Sequence, residues 1–326
     1  MIPRTKLTQT KPSTYPLERC FQWLSRPRLY RILPRLIPPH TLIATVRNPS
    51  PDEDPNTAKV ALLASKYPSA HVRIEALDLG SLAAVRSFAD RLAARISSKE
   101  LPPMPAIICN AFTWSLESGQ RFTSDGLEAT FQVGHSAHYL LALKLLGSMD
   151  TNSGRIVMLG PEIPADIEEL VMPGPDPAHL VHDRGFQRYG TAKLANVIFL
   201  QDLDQRLQRS PKLSKITVTA MDPGGLVESR AQAGQKASVQ RLFAVLRFLM
   251  PVPKHITTTF RTNKDAGRDL VAVSLDPTFH GKRGYYVGQE QEAAAQVTRN
   301  AEVQKSLWEA CWKWAGLAAK ETVLGH

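Results

Sequence analysis

Residues 189–200 read Tyr189-Gly-Thr-Ala-Lys-Leu-Ala-Asn-Val-Ile-Phe-Leu200. The apolar run after Lys193 predicts a helix over Phe186–Leu207. Tyr189 and Lys193 stand at i and i+4, on one face of that helix. A lysine ammonium beside a phenol lowers its pKa from the usual value of about 10. The pair can then move a proton at neutral pH. A bare Tyr-x-x-x-Lys match is more often a solvated helix face, so the flanking segments have to decide.

Those segments alternate between strand and helix. Thr41–Val46, Val72–Leu77, Ala106–Cys109, Arg155–Leu159, Ile216–Met221 and Gly284–Val287 are predicted strands, short and apolar with β-branched residues. Thr57–Lys66, Ser81–Ile96 (N-capped by Ser81), Ser124–Met149, Gln240–Leu249, Lys264–Ser274 and Glu302–Leu317 are predicted helices. Strands separated by helices imply parallel βαβ units and an α/β doubly wound sheet. The expected organisation is one domain over 41–326, preceded by an atypical segment, 1–40.

That segment skews the composition. The chain has 326 residues and a formal charge of +10. Residues 1–40 carry eight basic residues, one acid, seven prolines and no glycine. The remainder is nearly neutral and shows no basic-aromatic motif, which argues against nucleic acid as a partner. Cys20, Cys109 and Cys311 form neither a disulfide framework nor a metal-ligand spacing. Apolar runs are too short for a spanning helix, and the start lacks the apolar region of a secretory signal. A cytoplasmic location is the expectation.

Taken together, Gly154-Arg-Ile-Val-Met-Leu-Gly160, Tyr189–Asn196, Asp222–Arg230 and Thr123-Ser-Asp-Gly-Leu-Glu-Ala-Thr-Phe131 resemble the short-chain dehydrogenase/reductase family, in a fungal-type branch. The resemblance runs from about residue 41 to 290. It implies a Rossmann-like sheet binding NADP, or less readily NAD, at the carboxyl ends of the strands. It makes Tyr189 the proton donor or acceptor and Lys193 the residue that holds the nicotinamide ribose and tunes the tyrosine. Asp78 falls where the family contacts adenine, its alternative being a cap for the helix at Ser81. Asn110 falls beside the adenosine ribose. Pro223, Gly224 and Leu226 match the loop against the carboxamide. Arg47, at a strand end, suits a 2′-phosphate. Lys144 reads as solvated. The family often assembles as dimers or tetramers through the Tyr189 helix and the long helix before it, so a homo-oligomer is implied.

The pattern breaks in four places. The first βα unit with its glycine-rich turn is absent or replaced, which should leave a gap at the centre of the sheet or an altered sheet. Pro161 stands where the family has its catalytic serine. Gly134 stands at the helix asparagine that organises the family's proton relay, and Phe112 replaces a glycine after Asn110-Ala. His135 and His138 read as helix-surface residues, and His182 lies in a loop before the Tyr189 helix. Residues 1–40 have three readings. They form a replacement element with a helix over Leu17–Leu24, or Arg26–Leu36 touches an anionic membrane surface, or the segment is a mistranslated 5′ end.

The resemblance implies an NADP-dependent oxidoreductase acting on a bulky apolar ketone or alcohol under a lid at Glu228–Pro253, as in secondary metabolism. The alternatives are a catalytically inactive binding protein on the same fold, and a fold repurposed for cyclisation or isomerisation without hydride transfer.

Overall fold

The computed structural model describes residues 14–18, 41–66, 71–113, 119–160, 170, 172, 185–226, 260, 261 and 263–325. Eight strands form the main sheet: β1 (Thr14–Glu18), β2 (Thr41–Val46), β3 (His71–Ala76), β4 (Ala106–Cys109), β5 (Arg155–Leu159), β6 (Thr217–Asp222), β9 (Gly284–Val287) and β10 (Glu290–Glu292). Their order is β10-β9-β6-β5-β4-β1-β2-β3, parallel throughout except for β10. β7 (Gly225–Leu226) and β8 (Phe260–Arg261) form a separate pair.

The expected gap at the sheet centre is filled. β1 lies between β4 and β2, with Thr14 opposite Thr41 and Leu17 opposite Ile108. Without it, β2 and β4 would each present an unpaired edge inside the molecule, which backbone N–H and C=O groups do not tolerate. The first unit is therefore altered rather than missing. Pro16 sits opposite Ile43 in this central strand and has no N–H to give the ladder. The helix expected over Leu17–Leu24 yields to this strand at Leu17 and Glu18. The crossover to β2 falls in 19–40, outside the described residues, as does the proposed membrane-contact stretch Arg26–Leu36.

Strand alternation divides the core into two layers. Ile43, Ile107, Ile156, Met158, Val218, Ala220 and Tyr285 face one layer, and Ala44, Ile108, Val157, Leu159, Met221 and Tyr286 the other. Helices α1 (Pro55–Ser65) and α6 (Asn263–Leu275) cover the second layer. The first is covered by α2 (Leu82–Ser97), α4 (Ala137–Leu145) and α5 (Gly185–Arg209). Ser81 caps α2 as expected, accepting from Ala84 N at 3.2 Å.

The long helix expected over Ser124–Met149 starts later and is not uniform. A short turn α3 (Ala129–Phe131) leads into π-helical backbone over Gln132–Ser136, then α4. Residues before it are held open by a bridge between Phe122 and Glu128, and the Glu128 carboxylate accepts from Phe131 N at 2.8 Å. Lys144 is not solvated. Its ammonium pairs with Asp90 at 2.8 Å and Glu321 at 2.9 Å.

The C-terminal helix α7 (Ala301–Ala315) ends at Gly316, whose φ of 58° needs a residue without Cβ strain. It lies across α4 and α5. Trp308 is fully buried, with ring centroids 5.5 Å from Tyr139 and 5.9 Å from Phe199, and the Arg206 guanidinium 3.7 Å above its ring. Tyr139 on α4 and Phe199 and Arg206 on α5 thus face the chain's own C-terminal helix. Trp308→Ala should lower the unfolding free energy by about 3–5 kcal/mol in urea titration. A loss below about 1 kcal/mol would show that α7 is not docked as described.

Candidate active site

The carboxyl ends of β2, β3, β4 and β6 meet on one side of the molecule. Tyr189 and Lys193 come to this edge from the first turns of α5. Lys193 is 2% exposed, and its ammonium donates to Leu159 O at 2.9 Å, at the end of β5. Phe112 follows β4 and packs on the pair. Its ring centroid is 5.2 Å from that of Tyr189 and 5.0 Å from Lys193 Nζ. The bulk that replaces the family's glycine is therefore spent on a cation–π contact with the lysine.

Burial pulls Lys193 down to about 8, while the Asp222 carboxylate and Cys109 oppose that pull. Tyr189 departs from expectation. Burial pushes its phenol up, and Asp222 pushes the same way. The lysine does not win because its ammonium is turned to Leu159 O and lies 5.8 Å from the tyrosine ring centroid. The phenol is thus held protonated at neutral pH.

The cofactor-side residues lie along the same edge. A cleft of about 400 Å³ is lined by Arg47, Asp78, Ala111 and Arg121, among others. Arg47 is exposed at the end of β2 with no side-chain partner among the described residues. Asp78 accepts from Gly80 N at 2.9 Å, and the cap of α2 is Ser81, so the capping alternative for Asp78 falls. Asn110 is 2% exposed, and its Oδ1 has no partner among the described residues. Gly224 has φ of 77° and gives its N–H to Asp222 Oδ1 at 2.7 Å. Leu226 ends β7, its side chain outside the described set. Pro161, His182 and Glu228–Pro253 also lie outside the described residues.

Sequence reading missed Arg121, Asp222 and Asn196. Arg121 sits in a loop whose course depends on the Phe122–Glu128 bridge, for which no local signal exists. Asp222 was legible in principle: it follows Ala220 by two on a strand, and so shares that residue's face. Asn196 is three residues after Lys193.

Asn196 also explains Gly134. Its Nδ2 donates to Gly134 O at 3.0 Å, and a Cβ on Gly134 would stand 3.1 Å from the Ala192 Cβ. The missing side chain is what lets α5 come this close. Asn196 Oδ1 meets His135 Nδ1 at 2.8 Å, and His135 Nε2 meets Cys311 Sγ at 3.4 Å. An amide oxygen only accepts, so Nδ1 carries the proton and Nε2 accepts from the thiol. The order resembles a nucleophile, base and orienter, but all three are buried and burial pushes the Cys311 thiol up, away from thiolate. The set ties α7 to α5 through the π-helical turn. His138 is equally buried, its Nε2 donating to Ala111 O at 2.8 Å. Neither histidine is the surface residue that helical spacing suggested.

Burial holds His135 down to about 4, from an ordinary value of 6.5. Its contribution to stability is intact above about pH 6.5, where histidine is neutral in both states. It falls as pH drops toward 4, where the unfolded chain binds a proton that the native chain refuses. Between those limits the loss should reach about 3 kcal/mol. His135→Gln should flatten the pH dependence of the urea midpoint over that range. An unchanged slope would refute the assignment.

Residues 229–324 match a family model described as AcuH dehydrogenase domain. The chain is 28% identical to a short-chain dehydrogenase, iccH, of Talaromyces variabilis, over 76% of this chain and 80% of that one. It is 28% identical to protochlorophyllide reductase B of Oryza sativa subsp. japonica, over 74% of this chain and 64% of that protein. Among solved structures, the angucycline C-6 ketoreductase LanV with bound NADP superposes with a TM-score of 0.58 at 13% identity, covering 84% of this chain and 93% of that one. With Tyr189 and Lys193 side by side at the carboxyl edge of a doubly wound parallel sheet, and with these relatives, the chain is similar in sequence and fold to the short-chain dehydrogenases/reductases.

Proposed function

We propose that this chain is an NADP-dependent oxidoreductase that reduces the carbonyl of a bulky apolar small molecule. The observation that carries the reading is the placement of Tyr189 beside a buried Lys193 at the carboxyl edge of the sheet, with Phe112 packed on both. NADPH, when bound, supplies the hydride. Tyr189 Oη gives its proton to the substrate oxygen, and Lys193 stabilises the phenolate left behind. Phe112 excludes water from the pair.

The described residues fit such a cofactor in its adenosine half. The buried Asn110 Oδ1 is an acceptor still to be satisfied, and the cleft brings Arg47 and Arg121 to an anionic group. The ketoreductase with bound NADP supports the same choice. A bulky polyketide-like ketone remains the substrate class, with a place in secondary metabolism and in the cytoplasm. Among the described residues no helix is long and apolar enough to cross a membrane.

Gly134 favours a second reading. The side chain that organises the family's relay is absent and its carbonyl is occupied by Asn196, as suits a protein that binds cofactor without turning over.

NADPH titration followed by nicotinamide fluorescence, with turnover of a bulky aryl ketone, separates the two. Saturable binding with turnover is expected, and Tyr189→Phe should cut kcat by about 100–10,000-fold while binding persists. Binding without turnover would establish the second reading, and no binding would refute both. Arg47→Ala should weaken NADPH by about 10–100-fold and leave NADH nearly unchanged. Equal losses would exclude Arg47 from the 2′-phosphate.

A further inference from the structure

The family's proton network has lost its side chain at Gly134, yet the site holds a buried carboxylate that no part of the reading above employs. Asp222 is 3% exposed, at the last position of β6. Strand alternation sets its direction. Met221 belongs to the layer under α6, whereas Ala220 faces the layer under α5. Asp222 is therefore aimed at α5, which carries Tyr189 and Lys193. The register fixes its height. Met221 pairs with Leu159, whose carbonyl receives the Lys193 ammonium. Asp222 comes next along the strand, at the level of that ammonium.

We propose that Asp222 is the counter-charge of the Tyr189–Lys193 pair and keeps Lys193 in its ammonium form at neutral pH. The proposal rests on the reading of Tyr189 as the acid and Lys193 as its support.

The simpler role for Asp222 is closing the turn at Gly224, whose N–H it accepts at 2.7 Å. A neutral asparagine closes such a turn equally well. Burying a carboxylate for that purpose alone is costly, because a charge taken from water needs an opposite charge or several donors. Lys193 has the same difficulty with the opposite sign, since its ammonium donates to one neutral carbonyl. Asp222, at the level of that ammonium, brings the opposite charge to it. The groups facing Lys193 are Tyr189 on α5, Cys109 at the end of β4 and Asp222 on β6. His135, on the π-helical turn packed against α5, is committed to Asn196 and Cys311. Among these, Asp222 is the carboxylate. It also works against the burial that draws Lys193 down to about 8.

The arrangement has a consequence for the phenol. A carboxylate near Tyr189 disfavours phenolate, so Asp222 keeps the acid loaded while it keeps the lysine charged. The second effect makes the phenol a weaker acid, so its proton leaves only as Lys193 stabilises the phenolate, which a charged lysine can do.

The test is an NMR titration of lysine labelled with carbon-13 at Cε, on the full chain without cofactor, so that it does not depend on turnover. The Lys193 signal, assigned by its loss in Lys193→Arg, should titrate near 8. Asp222→Asn keeps the acceptor for Gly224 and removes the charge. It should lower the Lys193 midpoint by about one unit or more, and Asp222→Glu should restore it. An unchanged midpoint in Asp222→Asn overturns the proposal. Should that variant fail to fold, the wild-type chain decides. With aspartate labelled at Cγ, the Asp222 carboxyl signal should show an inflection at the Lys193 midpoint, and its absence overturns the proposal. Where ketone turnover is measurable, the alkaline limb of kcat/KM should move to lower pH by the same amount in Asp222→Asn. An inactive wild type with the NMR coupling present would refute the oxidoreductase reading and leave the charge pair standing.

Discussion

A lysine buried to 2% exposure, with its ammonium on the carbonyl of Leu159, is the constraint to which the rest of the site conforms. An isolated charge in that position is untenable, because desolvation would strip its proton. The surroundings are organised against that outcome. A strand-end carbonyl accepts its hydrogen bond, an aromatic face lies 5.0 Å away, and a carboxylate stands at the end of the adjacent strand. Each contribution comes from a different strand end: β5, β4 and β6. The parallel register of those three strands is therefore what assembles the site, and a slip of one residue in β6 would turn Asp222 to the opposite face.

The second constraint is distance between helices. α5 must approach the π-helical turn closely enough for Asn196 to reach Gly134 O and His135. Glycine at 134 permits this, because a Cβ there would stand 3.1 Å from Ala192 Cβ. The wider π-helical turn re-aims His135 inward to meet Cys311 on α7. Loss of the family's asparagine at this position thus reads as an exchange. An amide on α5 now bonds the backbone from the other side, and the gap left by the side chain is closed by packing rather than by a relay.

Much of the fold was legible in the sequence. Ala106–Cys109, Arg155–Leu159 and Gly284–Val287 match their observed bounds, since short buried strands of parallel sheets are nearly continuous apolar runs. β1 was not, because Thr14-Tyr-Pro-Leu-Glu18 has neither such a run nor a free N–H at Pro16, and its place comes from the edges it completes. His135 and His138 were misjudged because a π-helical turn breaks the 3.6-residue period used to sort surface from core. Lys144 was misjudged because its partners Asp90 and Glu321 are distant in sequence. Of the candidate site, Tyr189 and Lys193 were named from their spacing on a helix, and Arg47 and Asp78 from their places at strand ends. Phe112 and Asp222 act through proximity that only the folded register creates.

The charge state of the pair also sets what proton transfer costs. Donating a proton to a substrate oxygen requires phenol at the start of the step, and abstracting one requires phenolate. Burial and Asp222 both favour phenol, and each pKa unit by which phenolate is disfavoured costs about 1.4 kcal/mol, whether the phenolate must be present before oxidation or is left behind by reduction. Reduction starts from the form the protein already holds. Lys193, charged but poised near 8, then stabilises the phenolate once the proton has left. Lys193 is therefore the group on which proton transfer in either direction depends, and the buried acid at the end of β6 acts on it by keeping it charged.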